Sequence, residues 1–263
     1  MYKKPFTFRL LAGIFILLSS FVILKDQRKP KLFIIGDSTV KNGQGRGDGG
    51  LWGWGDYLAP YFDTTKITLE NHALGGTSSR TYQTKGLWDK VLSDMQPGDF
   101  VIMQFGHNDG SPLDDTARAR GTIKGTGDES KEIYNPITKQ QEVVHTYGWY
   151  MSKFVNDAKA KGAVSIICSP IPRNSWKNGK VGRAENDYGK WAAETATSTG
   201  AFFIDLNKMI ADNYDAQGEE YGKQFFTEKD HTHTNKEGAV MNAGLVAGGI
   251  RSLVLCKLSG FLK

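Results

Sequence analysis

A chain of 263 residues with ordinary hydrophobic (39%) and charged (23%) fractions can bury a full core, which excludes a disordered class and suits one α/β domain. The formal charge of +5 is modest, and part of it lies in Lys3, Lys4 and Arg9, ahead of the folded region. No dense Lys/Arg run interleaved with aromatics occurs, so nucleic acid is not an expected partner.

The first thirty residues run from that basic start through apolar residues 10–24 to the polar Lys25-Asp26-Gln27-Arg28. This is the order of a secretory signal. The apolar run is shorter than the about 20 residues that span a bilayer. No A-x-A cleavage pattern follows it. Residues 1–29 are therefore read as a signal peptide or an uncleaved N-terminal anchor, and 30–263 as one domain. The expected location is periplasmic or extracellular, with membrane contact only if the segment is retained. The two cysteines, Cys168 in an apolar strand and Cys256 in an apolar C-terminal helix, are expected to be unpaired core residues.

Residues 32–35 form a short all-apolar run, the mark of a strand buried on both faces. It ends in Gly36-Asp37-Ser38-Thr39, which taken alone reads as a helix cap. A glycine-rich loop over 41–50 and a short helix ending near Pro60-Tyr61 follow, with Trp52 and Trp54 as core or cleft residues. The second strand (66–70) ends in Asn71-His72-Ala73-Leu74-Gly75-Gly76-Thr77-Ser78-Ser79, a turn that can expose backbone N–H groups at a helix start. A helix over 87–95 precedes the third strand, 99–105, which ends in Gly106-His107-Asn108-Asp109-Gly110. Residues 111–144 read as an irregular lid beside the cleft. A helix to about Lys161, a strand over 163–168, a helix over 182–199, a strand over 201–205 and a helix over 206–214 complete the alternation. The loop carrying Asp230-His231-Thr232-His233 leads into a last helix from Lys236 to about Leu255. Strand and helix alternate throughout, which predicts a parallel sheet covered by helices on both faces.

Three strands thus end in polar, glycine-bearing turns at one sheet edge, where open α/β sheets keep their ligands. Acyl transfer by a nucleophile needs a hydroxyl, a base, a group that orients the base, and donors for the oxyanion. Asp230 and His233 are spaced to supply orienter and base in one turn. A metal site of Asp230, His231 and His233 is the competing reading. It leaves the Ser38 turn unused, and no further Cys, His or acid cluster stands out to complete a shell.

Together these residues resemble the SGNH (GDSL-like) hydrolase superfamily. Gly36-Asp37-Ser38 matches its first block, Gly76 its second, Gly106-His107-Asn108-Asp109 its third and Asp230-x-x-His233 its fifth. Gly53-Trp54-Gly55 and Arg120-Gly121-Thr122 further resemble the rhamnogalacturonan acetylesterases. The resemblance implies Ser38 as nucleophile, His233 as base and Asp230 as its orienter. It implies the Ser38 and Gly76 N–H groups and the Asn108 side chain as the oxyanion hole. It also implies a flavodoxin-like three-layer α/β/α sandwich with a five-stranded parallel sheet ordered 2-1-3-4-5. The expected activity is removal of O-acetyl groups from an acetylated plant cell-wall polysaccharide by a monomer needing no cofactor or metal. The alternatives are a lipase or thioesterase acting on non-carbohydrate acyl esters and a non-catalytic glycan-binding protein.

Overall fold

The computed structural model describes Met1 and residues 28–263. The signal-or-anchor expectation for 1–29 therefore falls, but for its ends, outside the described residues. Among the described residues no helix is long and apolar enough to cross a membrane.

The folded chain opens with β1 (Lys31–Gly36) and passes through 3₁₀ turns at Trp54–Tyr57 and Ala59–Tyr61, where a short helix was expected, to β2 (Thr68–Asn71). Helices α1 (Ser79–Thr84) and α2 (Leu87–Asp94) lead to β3 (Phe100–Gln104). A hairpin of β4 (Ser130–Asn135) and β5 (Gln140–His145) precedes α3 (Tyr147–Ala160) and β6 (Val164–Cys168). A small hairpin, β7 (Trp176–Lys177) and β8 (Lys180–Val181), comes before α4 (Tyr188–Thr199) and β9 (Phe202–Ile204). Helices α5 (Leu206–Gln217), α6 (Glu219–Lys223) and α7 (Lys236–Ser252) finish the fold. The central sheet is parallel with order β2-β1-β3-β6-β9, which is 2-1-3-4-5 when only its own strands are counted.

Side chains alternate across a strand, so a sheet covered on both faces divides each strand between two cores. Leu32, Ile34, Phe100, Ile102, Ile166 and Ile204 enter one core with Ile210 of α5 and Val246 and Ile250 of α7. Phe33, Ile35, Val101, Met103 and Ile167 enter the other with Tyr82, Trp88, Phe154 and Ala196 of α1 to α4. That division builds the three layers. It also carries the ends of β1, β2 and β3 to a common edge.

Several expectations are corrected. The segment 111–144 is not irregular throughout: its second half is the β4–β5 hairpin, paired antiparallel from Ser130↔His145 to Asn135↔Gln140. Only Ile133, Asn135 and Val144 in that hairpin are buried, so its apolar alternation is too weak to mark strands. Helix α4 begins at Tyr188 rather than near Gly182, and α7 ends at Ser252, which places Cys256 after the helix at the start of a 3₁₀ turn. Both cysteines are buried and unpaired. Trp54 is fully buried and donates from Nε1 to Gln104 at 3.0 Å, so it belongs to the core.

Candidate active site

The turn after β1 is shaped by its own side chains. Asp37 Oδ1 accepts from the Thr39 N–H and the Thr39 hydroxyl, both at 2.8 Å. The Asp37 carbonyl accepts from the N–H groups of Val40 and Lys41. Gln104 at the end of β3 donates to Thr39 Oγ1 at 2.6 Å and accepts from Trp54, fixing the turn to the neighbouring strand and to the segment behind it. Trp54 N–H and Gly55 N–H donate to the Thr39 and Val40 carbonyls. This approach explains the Gly53-Trp54-Gly55 sequence, because a Cβ on Gly53 would lie 2.2 Å from Lys41 N. The outcome is a rigid turn that holds Asp37 and Thr39 inside and leaves Ser38 partly exposed.

Opposite it stands the loop before α7. His233 Nε2 lies 2.7 Å from Ser38 Oγ, and His233 Nδ1 lies 2.8 Å from Asp230 Oδ2. Asp230 Oδ1 accepts the N–H groups of Thr232 at 2.7 Å and His233 at 2.8 Å. Burial alone would raise the Asp230 pKa, but the N–H and ring of His233 and the N–H of Thr232 outweigh it and hold the carboxyl below its ordinary value. An ionised Asp230 fixes the proton on Nδ1 and leaves Nε2 to accept from the serine. Both ring nitrogens of His233 are thus engaged by protein groups, and His231 is exposed with its carbonyl accepting from Asn174 N–H. The three groups of the metal reading do not converge. Among the described residues no cluster of three or more His, Cys, Asp or Glu is placed to hold a metal ion.

The remaining predicted residues meet at the same place. Asn108 is buried and donates from Nδ2 to the Thr77 carbonyl at 2.7 Å, which ties the turn after β3 to the turn after β2. Gly76 takes a left-handed φ of +81°, a conformation that favours glycine, and lines the cleft. Among the described residues the N–H groups of Ser38 and Gly76 find no protein acceptor, which leaves them able to bind a developing oxyanion. Ser38, Gly75, Gly76, His107, Asn108, Asp230 and His233 line one open cavity of about 690 Å³. Neither Trp52 nor Trp54 is among its lining residues. Trp52 instead pairs with Thr234, linking the loop behind Ser38 to the loop of His233.

Four residues that position the site were not predicted as such. Arg173, in the turn after β6, donates to the Thr232 hydroxyl and, at 3.0 Å, to the His107 carbonyl, joining the third and fifth blocks. Arg80 of α1 is fully buried, pairs with Glu142 of β5 and donates to the Leu113 and Gly121 carbonyls. His107 is driven down to about 3 by burial and by the positive charges of Arg173 and His233, so it stays neutral. Asp109 accepts from the N–H and hydroxyl of Ser79. A polar turn at the carboxyl end of the fourth strand was the available sign for Arg173; Arg80 carried none.

Asp109 also makes the fold pH-sensitive. Burial raises it from 3.8 to about 7, with the neighbouring Asp37 adding to the rise and Ser79 opposing it. A raised folded value means that its contribution to stability is full below 3.8 and is lost as pH climbs through about 7. The thermal midpoint of the wild type should therefore fall relative to that of Asp109→Asn across this window. Midpoints that run parallel from acid to neutral pH would show that Asp109 does not titrate there.

The comparisons with known proteins agree with this architecture. Residues 34–240 match the GDSL-like lipase/acylhydrolase family. A rhamnogalacturonan acetylesterase of Emericella nidulans is 31% identical over 92% of this chain and 91% of its own length. A probable rhamnogalacturonan acetylesterase of Bacillus subtilis is 29% identical over 88% of this chain and 97% of its own. Among solved structures, the Bacillus subtilis protein YxiM superposes with a TM-score of 0.70 at 22% identity, covering 87% of this chain; the chain spans 58% of that protein's length. The acetylxylan esterase of Geobacillus stearothermophilus superposes with a TM-score of 0.53 at 16% identity over 84% of this chain and 92% of its own. With four sequence blocks brought to one sheet edge and the match running over most of its length, the chain belongs to the GDSL-like lipase/acylhydrolase family and is a serine-type ester hydrolase.

Proposed function

We propose that the enzyme is an exported carbohydrate esterase that removes O-acetyl groups from an acidic pectic polysaccharide of the rhamnogalacturonan type. The observation that carries the reading is the hydrogen-bonded chain Ser38–His233–Asp230 in an open cleft. The substrate class follows the curated relatives, three of which are named for rhamnogalacturonan.

Ser38 Oγ attacks the acetyl carbonyl while His233 Nε2 takes its proton. The oxyanion is held by the N–H groups of Ser38 and Gly76 and by Asn108 Nδ2. Collapse of the tetrahedral intermediate breaks the bond to the sugar oxygen, which leaves as a hydroxyl with the proton from His233. Water, deprotonated by His233, then attacks the acetyl-serine, and acetate departs with Ser38 restored. Asn108→Ala removes one oxyanion donor and should lower kcat by about 10²–10³ with KM nearly unchanged. A change confined to KM would remove Asn108 from the oxyanion hole.

Twelve residues line the cavity and Leu51 is the only aliphatic one among them, so a long acyl chain meets a single aliphatic side chain there. Acetate release from acetylated rhamnogalacturonan should exceed that from acetylated xylan, and p-nitrophenyl acetate should be preferred over longer esters. A preference for octanoate would reject the sugar reading in favour of a lipase or thioesterase. N-terminal sequencing of the exported protein distinguishes a signal peptide cleaved after the apolar segment 10–24 from a retained anchor.

A further inference from the structure

The cavity around Ser38 is lined by three arginines, Arg118, Arg120 and Arg173, against a single acid, Asp230. Asp230 forms no ion pair with them among the described residues; its oxygens accept from Thr232 and His233. Arg173 is also occupied, with one guanidinium nitrogen on Thr232 and another on the His107 carbonyl. Arg118 and Arg120 have no carboxylate partner among the described residues, unlike four other arginines of the fold. Arg28, Arg46, Arg80 and Arg183 each pair with a carboxylate. Among the described residues Arg120 meets only neutral acceptors, Ser111 Oγ and the Gly76 carbonyl, each at 3.2 Å. Arg118 is exposed and makes no side-chain hydrogen bond among the described residues.

The backbone that carries the pair is held in place. Ala119, which separates the two arginines, is buried and has a φ of +42°, a conformation that an L-residue seldom adopts and that persists only where its surroundings impose it. The carbonyls on either side of the pair, Leu113 and Gly121, accept from the buried guanidinium of Arg80, itself clamped by Glu142. A Cβ built on Gly76 would lie 4.0 Å from Arg120 Nη1, so this guanidinium stands directly beside the oxyanion side of the cleft. A planar guanidinium with unspent N–H donors matches a carboxylate in shape and charge.

We propose that Arg118 and Arg120 form a carboxylate-binding subsite that grips a uronate residue of the polysaccharide and thereby sets which acetylated hydroxyl reaches Ser38. The inference rests on the polysaccharide-esterase reading and adds its specificity residues. A bound carboxylate fixes the orientation of the sugar ring, and only esters at a set distance from it then meet the nucleophile. Screening by salt weakens such a contact, since the site opens to solvent.

The test separates binding from turnover. A deacetylated galacturonate-containing oligosaccharide is titrated calorimetrically into the full purified protein, alongside its methyl-esterified, uncharged counterpart. The acidic form should bind the wild type roughly ten- to a hundred-fold more tightly than the neutral form. In Arg118→Gln and Arg120→Gln that advantage should shrink toward one. High salt should shrink it in the wild type as well. Equal binding of the two oligosaccharides by the wild type, or an undiminished advantage in Arg118→Gln, would overturn the proposal. Arg118 makes no side-chain hydrogen bond among the described residues, so its variant stays informative if Arg120→Gln fails to fold. A protein that binds the acidic form selectively but releases no acetate would keep the subsite and refute the esterase reading.

Discussion

Replacing Ser38 by alanine should lower kcat by about 10⁵–10⁶, and adding His233→Ala to it should cost almost nothing more. The reason is that the two side chains act as one device: Ser38 Oγ and His233 Nε2 are 2.7 Å apart, and the base has no other proton to take in the first step. Once the hydroxyl is gone, the base has lost its partner, so the losses do not add. What survives is the catalysis available from the oxyanion donors and from binding, about 10³–10⁴ over water. Measuring kcat on p-nitrophenyl acetate for both single variants and the double variant closes the cycle. Thermal midpoints should stay near that of the wild type, because Ser38 is partly exposed and the turn is held by Asp37, Thr39 and Gln104 rather than by the serine. A Ser38→Ala enzyme retaining a tenth of the rate would move the nucleophile elsewhere or replace it with water activated by His233.

The sheet was legible because β1, β3 and β6 are short apolar runs followed by glycine and polar residues, and because their alternation feeds two cores. The site was legible where chemistry-bearing residues sit in such turns: Ser38, Gly76 and Asn108 each follow a strand of the sheet, and Asp230 and His233 share one loop. Their roles as nucleophile, orienter and oxyanion donors came from the resemblance of four blocks, since a lone Gly36-Asp37-Ser38 reads as a helix cap.

The supporting contacts were hidden for a physical reason. Arg80 and Glu142 are 62 positions apart, and Arg173 reaches Thr232 across 59. A polar residue destined for burial by a distant partner looks like any surface residue in sequence. The β4–β5 hairpin was missed on the same ground. One of its ties to the domain is ionic, through Glu142 to Arg80, and most of its residues are not buried, so it lacks the periodic apolar face that announces a strand. The cleft arginines show the reverse case. Arg118 and Arg120 lay in a segment read as a lid, and their meaning emerged only when the fold placed them at the cleft beside Gly76 with no carboxylate in hydrogen-bond contact among the described residues.

Asp230→Asn is the second large effect, a loss of about 10³–10⁴ in kcat with little change in stability. Asparagine retains an Oδ1 that can accept the N–H groups of Thr232 and His233, so the turn keeps its backbone hydrogen bonds. Its amide nitrogen, however, replaces Oδ2, the acceptor now 2.8 Å from His233 Nδ1. An NH₂ there donates where it must accept, which favours the tautomer protonated on Nε2. That nitrogen then presents a proton to Ser38 instead of a lone pair, and general-base catalysis stops. The imidazolium that forms during attack also loses the negative charge beside it. The Asp230 side chain is 35% exposed, so water can satisfy Nδ1 part of the time, which places the loss at or below that of a fully buried orienter. A variant within tenfold of the wild type would mean that Asp230 serves the turn rather than the histidine. A midpoint lowered by many degrees would mean that the asparagine disrupted the loop, and the tautomer effect would then be read from the pH-independent kcat of the folded fraction.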